Sequence, residues 1–164
     1  MADVASIKKQ VAERLSQAVA EIQASMSAGN INASGRTSAS FRVVETEDGL
    51  QLVGGGKDTA PVGTLEVGRR PGNVPAGFTA ILEQWSRVKG LQFETESKRK
   101  SFAYLLGRKI AREGTQRYRE PQDVYSSITR QAADDIGEMI KGKLASVITG
   151  DVLHTFGDKN ENRV

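Results

Sequence analysis

The sequence predicts an α+β fold, and three observations predict it. Apolar residues near the start recur every three or four positions over about six helical turns. A short stretch after that alternates with period two around an Asp-Gly turn. Helical patterns then occupy most of the remainder. Strands are clustered rather than interleaved with helices, which argues against a doubly wound parallel sheet. The expected architecture is a small antiparallel sheet of about three strands, packed with a long N-terminal helix and three following helices. One domain is expected over residues 1–156, with a polar, disordered tail at 157–164.

The first helix is read over residues 4–26. Val4, Ile7, Val11, Leu15, Ala18, Ile22 and Met26 form one apolar stripe. Asp3 is placed to cap its start and Gly29-Asn30 to stop it. Ser40, Arg42 and Val44 then alternate with Phe41, Val43 and Glu45, as a strand requires. Asp48-Gly49 marks a hairpin turn, after which Leu50 and Leu52 share a strand face. Gly54-Gly55-Gly56 ends that pattern, and a third strand is expected over 62–67. Residues 68–77 are too rich in Gly and Pro for regular structure and read as a fixed, exposed loop.

A helix with Phe78, Ile81, Leu82, Trp85 and Val88 on its inner side is expected next, stopped by Gly90. Another, over 97–113, turns Phe102, Leu105, Leu106 and Ile110 inward and ends at Gly114. A polar loop covers 115–122. Asp123 then caps a last long helix whose stripe is Val124, Ile128, Ala132, Ile136, Met139, Ile140, Leu144, Val147 and Ile148. Gly137 and Gly142 weaken that helix by about 1 kcal/mol each relative to Ala.

A chain of 164 residues is long enough for one core, but only 38% of it is apolar and 5% aromatic, so the core is lean. Neighbouring subunits are expected to cover part of the apolar surface. There is no Cys, hence no disulfide or thiolate metal site. The N-terminus lacks the pattern of a signal peptide, and no apolar run approaches ~20 residues, so no membrane span is expected. The net charge is +3, yet residues 98–119 hold eight basic residues against one acid, Glu113, a local +7. This run reads either as a solvated helix face or as a surface for phosphates or an acidic partner. Lys98, Arg99, Lys100, Arg117 and Arg119 are its candidate contacts.

Catalytic patterns find little support. Gly54-Gly55-Gly56-Lys57 lacks the earlier Gly and the following Ser or Thr of a phosphate-binding loop, having Gln51 and Asp58 there. Glu96-Ser97-Lys98, with Glu94 nearby, matches the short Glu-x-Lys element of metal-dependent nucleases. Glu96 fits better at a helix N-terminus, where the macrodipole favours a carboxylate. His154 is the single His, so no His pair can bind zinc. Asp134 and Asp135 are adjacent on a helix and point about 100° apart, unlike an acid/base pair. Phe78 and Trp85 could stack on bases, but their helical spacing favours core packing. No catalytic residue, cofactor or metal ligand is assigned.

The order of several short segments does resemble one family. These are Gly35-Arg36-Thr37-Ser38-Ala39-Ser40-Phe41 and Gly63-Thr64-Leu65-Glu66-Val67-Gly68-Arg69-Arg70-Pro71-Gly72, then Trp85 with Lys89-Gly90, Phe102-Ala103-Tyr104 running to Ile110, and Gly114-Thr115. Over residues 30–150 this order is similar to the tail-completion or neck proteins of tailed phages, also called minor tail or head–tail joining proteins. A Tyr frequent before that family's Glu segment is absent, since Pro61-Val62-Gly63-Thr64 stands there, and the last helix is long.

The resemblance implies a non-enzymatic virion subunit that forms a ring of six or twelve copies. Such a ring sits between portal or adaptor and tail, with DNA passing non-specifically through its lumen. The protein would be made in the host cytoplasm. Under that implication Glu66, Gly68, Arg69, Arg70 and Pro71 become candidate subunit-interface residues. The alternatives are a nucleic-acid-binding module built on 98–119 and a metal-dependent nuclease.

Overall fold

A computed structural model describes residues 4–31, 34–56 and 62–157, with only the helical backbone described from 147 onward. The expected cap at Asp3, the residues Lys57 and Asp58, and the tail at 158–164 lie outside the described residues. So do the side chains of Val147, Ile148 and His154.

Helix α1 (Val4–Ala28) follows the predicted stripe. Ala18, Ile22 and Met26 are buried, while Val4 at its start is 81% exposed. The chain turns at Asn30, whose φ of 50° lies in the left-handed region that Asn tolerates. A single turn, α2 (Arg36–Ala39), precedes the hairpin of β1 (Arg42–Thr46) and β2 (Gly49–Val53). The strands pair antiparallel, Arg42 opposite Val53 and Thr46 opposite Gly49. Glu47 and Asp48 are therefore the loop, and Gly49, with φ of 127°, opens the second strand. Gly54 lets the chain cross the Phe41 ring, since a Cβ there would lie 2.6 Å from that ring.

The sheet has two described strands, and residues 62–67 do not add a third. They form a turn and then α3 (Thr64–Val67). The reason is packing. The Leu65 N–H donates to the Val62 carbonyl at 3.0 Å, and the turn swings Leu65 into the core with Ile22, Met26, Phe41 and Val124. Val19, Leu52, Tyr125 and Ile128 close around this cluster. Burying Ile22 and Met26 fully contributes about 1.5–3 kcal/mol each.

Two helices, α4 (Phe78–Val88) and α5 (Glu96–Glu113), form an antiparallel pair with a second cluster of Leu82, Ala103 and Ile110, flanked by Phe78 and Leu106. The inner face of α4 is rotated from the predicted one. Leu82 and Ser86 are buried, whereas Ile81, Trp85 and Val88 are 56, 37 and 41% exposed. Leu105, expected inside, is 63% exposed. Ser86 is inside because the Arg99 guanidinium donates to its hydroxyl at 3.1 Å while that hydroxyl donates to the Glu83 carbonyl at 2.7 Å.

The expected loop at 115–122 contains one helical turn, α6 (Gln116–Arg119). Helix α7 (Ser126–Gly157) follows. It packs antiparallel to α1, fastened where the Arg14 Nε donates to Asp135 at 2.8 Å. That hydrogen bond holds the Asp135 carboxyl below its usual range. The early part of the expected stripe is covered, with Val124, just before α7, and Ala132 within it buried. Further along, Ile140 and Leu144 are 37 and 54% exposed.

Candidate functional site

Loop 68–77 is pinned at its start by hydrogen bonds to Ala111 in the last turn of α5 and to Thr115 just beyond it. The Arg69 N–H donates to Thr115 Oγ1 at 2.9 Å, and the Thr115 N–H returns a bond to the Arg69 carbonyl at 3.0 Å. The Gly72 N–H reaches the Ala111 carbonyl at 2.8 Å. Such close passage requires glycine. A Cβ on Gly68, whose φ is 66°, would lie 2.3 Å from the Tyr118 nitrogen and 2.4 Å from Thr115 Oγ1. On Gly114, with φ of 76°, it would lie 2.7 Å from the Arg69 carbonyl.

The five candidate interface residues therefore divide. Gly68 closes the loop base. The Arg69 guanidinium lies 5.7 Å from the Phe78 ring centroid and donates to the Asn73 carbonyl, bracing the loop from within. Glu66 is also engaged inside the chain. Its Oε1 accepts the N–H groups of Val124, Tyr125 and Ser126 at 2.9, 2.8 and 2.7 Å, and the Ser126 hydroxyl donates to Oε2. These donors are the unpaired N–H groups at the start of α7, which a carboxylate satisfies well. Partial burial pushes the Glu66 carboxyl up. The Ser126 hydroxyl and the three N–H groups outweigh this and hold it at about 2. Asp123, the expected cap, takes only the Ser127 N–H, at 3.1 Å. Arg70 and Pro71 alone of the five are exposed and outside this bracing.

The basic candidates divide in the same way. Lys98 pairs with Glu94. Arg99 is structural, bonded to Ser86 and the Leu91 carbonyl, paired with Glu96 at 3.3 Å and lying 5.0 Å from the Phe93 ring centroid. Arg117 donates to Gln122. Lys100 and Arg119 are exposed and form no ion pair or hydrogen bond among the described residues. Arg108 and Lys109, outside the candidate set, share this exposure. Their outward direction follows from projecting the helix at about 100° per residue.

The Glu-x-Lys element does not gather carboxylates. Glu96 faces Arg87 and Arg99, and Glu94 faces Lys98. Among the described residues, no three His, Cys, Asp or Glu side chains are grouped to hold a metal ion. No described helix is long and apolar enough to cross a membrane. No family model, curated protein or solved structure matches the chain.

Proposed function

We propose that the chain is a structural, ring-forming subunit of a tailed-phage particle, seated at the junction of head and tail between portal or adaptor and tail. The order of short segments over residues 30–150 motivates the family. The observation that carries the assembly is the outer face of α4. Ile81, Trp85 and Val88 fall on one stripe at 56, 37 and 41% exposure, on a helix that starts beside the pinned loop. Exposed apolar stripes of this kind mark surfaces that another molecule covers. A ring needs a heterologous contact, in which a displayed element of one copy meets a different surface of the next. The exposed Arg70 and Pro71, held at the pinned start of the loop, supply the first element and the α4 stripe the second.

Mass photometry of the purified chain, with electron microscopy of intact particles, tests this reading. A closed oligomer is expected, and the pair Ile81→Glu and Val88→Glu is expected to reduce it to monomers of unchanged melting temperature. A chain that stays monomeric at high concentration and contributes no ring to particles would remove the proposal.

A further inference from the structure

The outer face of α5 carries an apolar turn between cationic ones. Tyr104 and Leu105 are 54 and 63% exposed. One helical turn before them lies Lys100, and one turn after them lie Arg108 and Lys109, all exposed. The Arg108 guanidinium leans toward the middle, 5.9 Å from the Tyr104 ring centroid. No acid occurs between residues 97 and 112. Lys100 and Arg108 have no carboxylate partner among the described residues. An exposed Tyr and Leu edged by Arg and Lys has the make-up of a protein contact, with an apolar middle and a charged rim. Its complement is a protein segment that brings carboxylates together with apolar side chains.

The chain itself carries such a segment. At the end of the β1–β2 hairpin Glu45, Glu47 and Asp48 are exposed, and no Lys or Arg occurs from residue 43 to 56. Glu45 pairs with Lys8, whereas Glu47 and Asp48 have no ion pair or hydrogen bond among the described residues. Other exposed acids are already matched, Glu94 by Lys98 and Glu138 by Lys141. Val44 and Leu50, partly exposed, lie beside the acids. Lys100 and Arg108 are about 12 Å apart along the axis at 1.5 Å per residue. A hairpin whose strands lie about 4.8 Å apart fits between them. Within one copy the hairpin packs on α1 and α5 packs on α4, and no ion pair among the described residues joins hairpin to α5. Two unlike surfaces of opposite charge on one chain are what a heterologous contact between copies requires.

We infer that the outer face of α5 receives the β1–β2 hairpin tip of a second copy, with Glu47 and Asp48 meeting Lys100, Arg108 and Lys109 around Tyr104. This adds a second contact to the one at the α4 stripe, and it rests on the proposed reading only for self-association. A ring at the head–tail junction is not required for it.

The test exchanges the charges. One variant carries Lys100→Glu with Arg108→Glu, the other Glu47→Lys with Asp48→Lys, and thermal unfolding verifies that each is folded. Should either fail there, Lys100→Glu and Asp48→Lys are used singly. Mass photometry over a concentration series reads the self-association of the full-length chains. Each variant alone sets like charges against each other and is expected to raise the dissociation constant at least about tenfold. An equimolar mixture sets opposite charges together again, and association is expected to return to within about threefold of the parent. Misfolded variants would give no such recovery. A parent and variants that associate alike overturn the inference and leave the α4 contact standing. Weakened variants that do not recover on mixing overturn the hairpin tip as the occupant. A parent that stays monomeric overturns both this inference and the ring. Charge-dependent association into dimers or open chains supports the inference and removes the closed ring.

Discussion

Replacing Glu66 with Ala removes the acceptor that starts α7. Three backbone N–H groups, at 2.7 to 2.9 Å, and one hydroxyl lose their partner together. Loss of an ordinary N-cap costs about 0.5–2 kcal/mol, and hydrogen bonds to charged groups are worth about 1.5–3 kcal/mol. The fall of the carboxyl from 4.5 to about 2 sets a ceiling. At 1.36 kcal/mol per pH unit that ceiling is ~3.4 kcal/mol. Solvent reaches this half-buried site and screens it, so the expected loss for Glu66→Ala is about 2–3 kcal/mol. In a domain of this size that lowers the melting temperature by about 4–12 °C. Glu66→Gln keeps an acceptor oxygen and loses the charge, so about half that effect is expected.

The pH dependence has a definite sign. The folded pKa is depressed, so the stabilisation is fully present above about pH 4.5 and is lost as pH falls toward about 2. Circular dichroism melts of the parent and Glu66→Gln across that window should show a constant gap above it that closes within it. A Glu66→Ala melt within about 1 °C of the parent at neutral pH, or a gap that persists at the acid end, would refute the assignment of Glu66 as the cap.

Gly68→Ala is expected to destabilise by about 3 kcal/mol or more, because the new Cβ meets backbone at 2.3 Å in a left-handed conformation; thermal unfolding reads it directly. Gly137→Ala with Gly142→Ala is expected to stabilise by about 1–2 kcal/mol in denaturant titrations, since both positions open on free space within α7. Arg70→Glu is expected to leave the melting temperature within about 1 °C of the parent while reducing the oligomer in mass photometry. Arg69→Glu is expected to lower both, since Arg69 braces the loop from inside.

What the sequence made legible was local. The stripe of α1 and the Asp48-Gly49 turn are patterns of period 3.6 and 2, visible within a few residues, and both stand in the structure with the turn shifted by one position. Residues 62–67 were not legible. Val62, Thr64 and Val67 suit a strand as well as a turn, and the choice is made by Leu65 reaching Ile22 and by Glu66 reaching Val124, 58 residues away. No local window contains either contact. The same holds for the site. Nothing near Glu66 or Arg69 in sequence signals that they are consumed inside the chain, while Arg70 is left outside.

Helix α4 sharpens the point. Hydropathy selects Phe78, Ile81, Leu82, Trp85 and Val88 as its inner face, yet of these only Phe78 and Leu82 meet α5, joined by Ser86. Ser86 has no hydropathic claim to a buried position; its hydroxyl is satisfied there by the Arg99 guanidinium and the Glu83 carbonyl. The remaining apolar stripe is then left over by the fold of a single chain. Cores normally agree with local pattern, and departures gather where something else is bound. A second copy covering that stripe restores the agreement. It also fixes what Ile81→Glu with Val88→Glu must do: dissociate the assembly and leave the monomer's melting temperature where it was. A fall in that temperature would instead place the stripe within the monomer's own core and remove the reason for a neighbour.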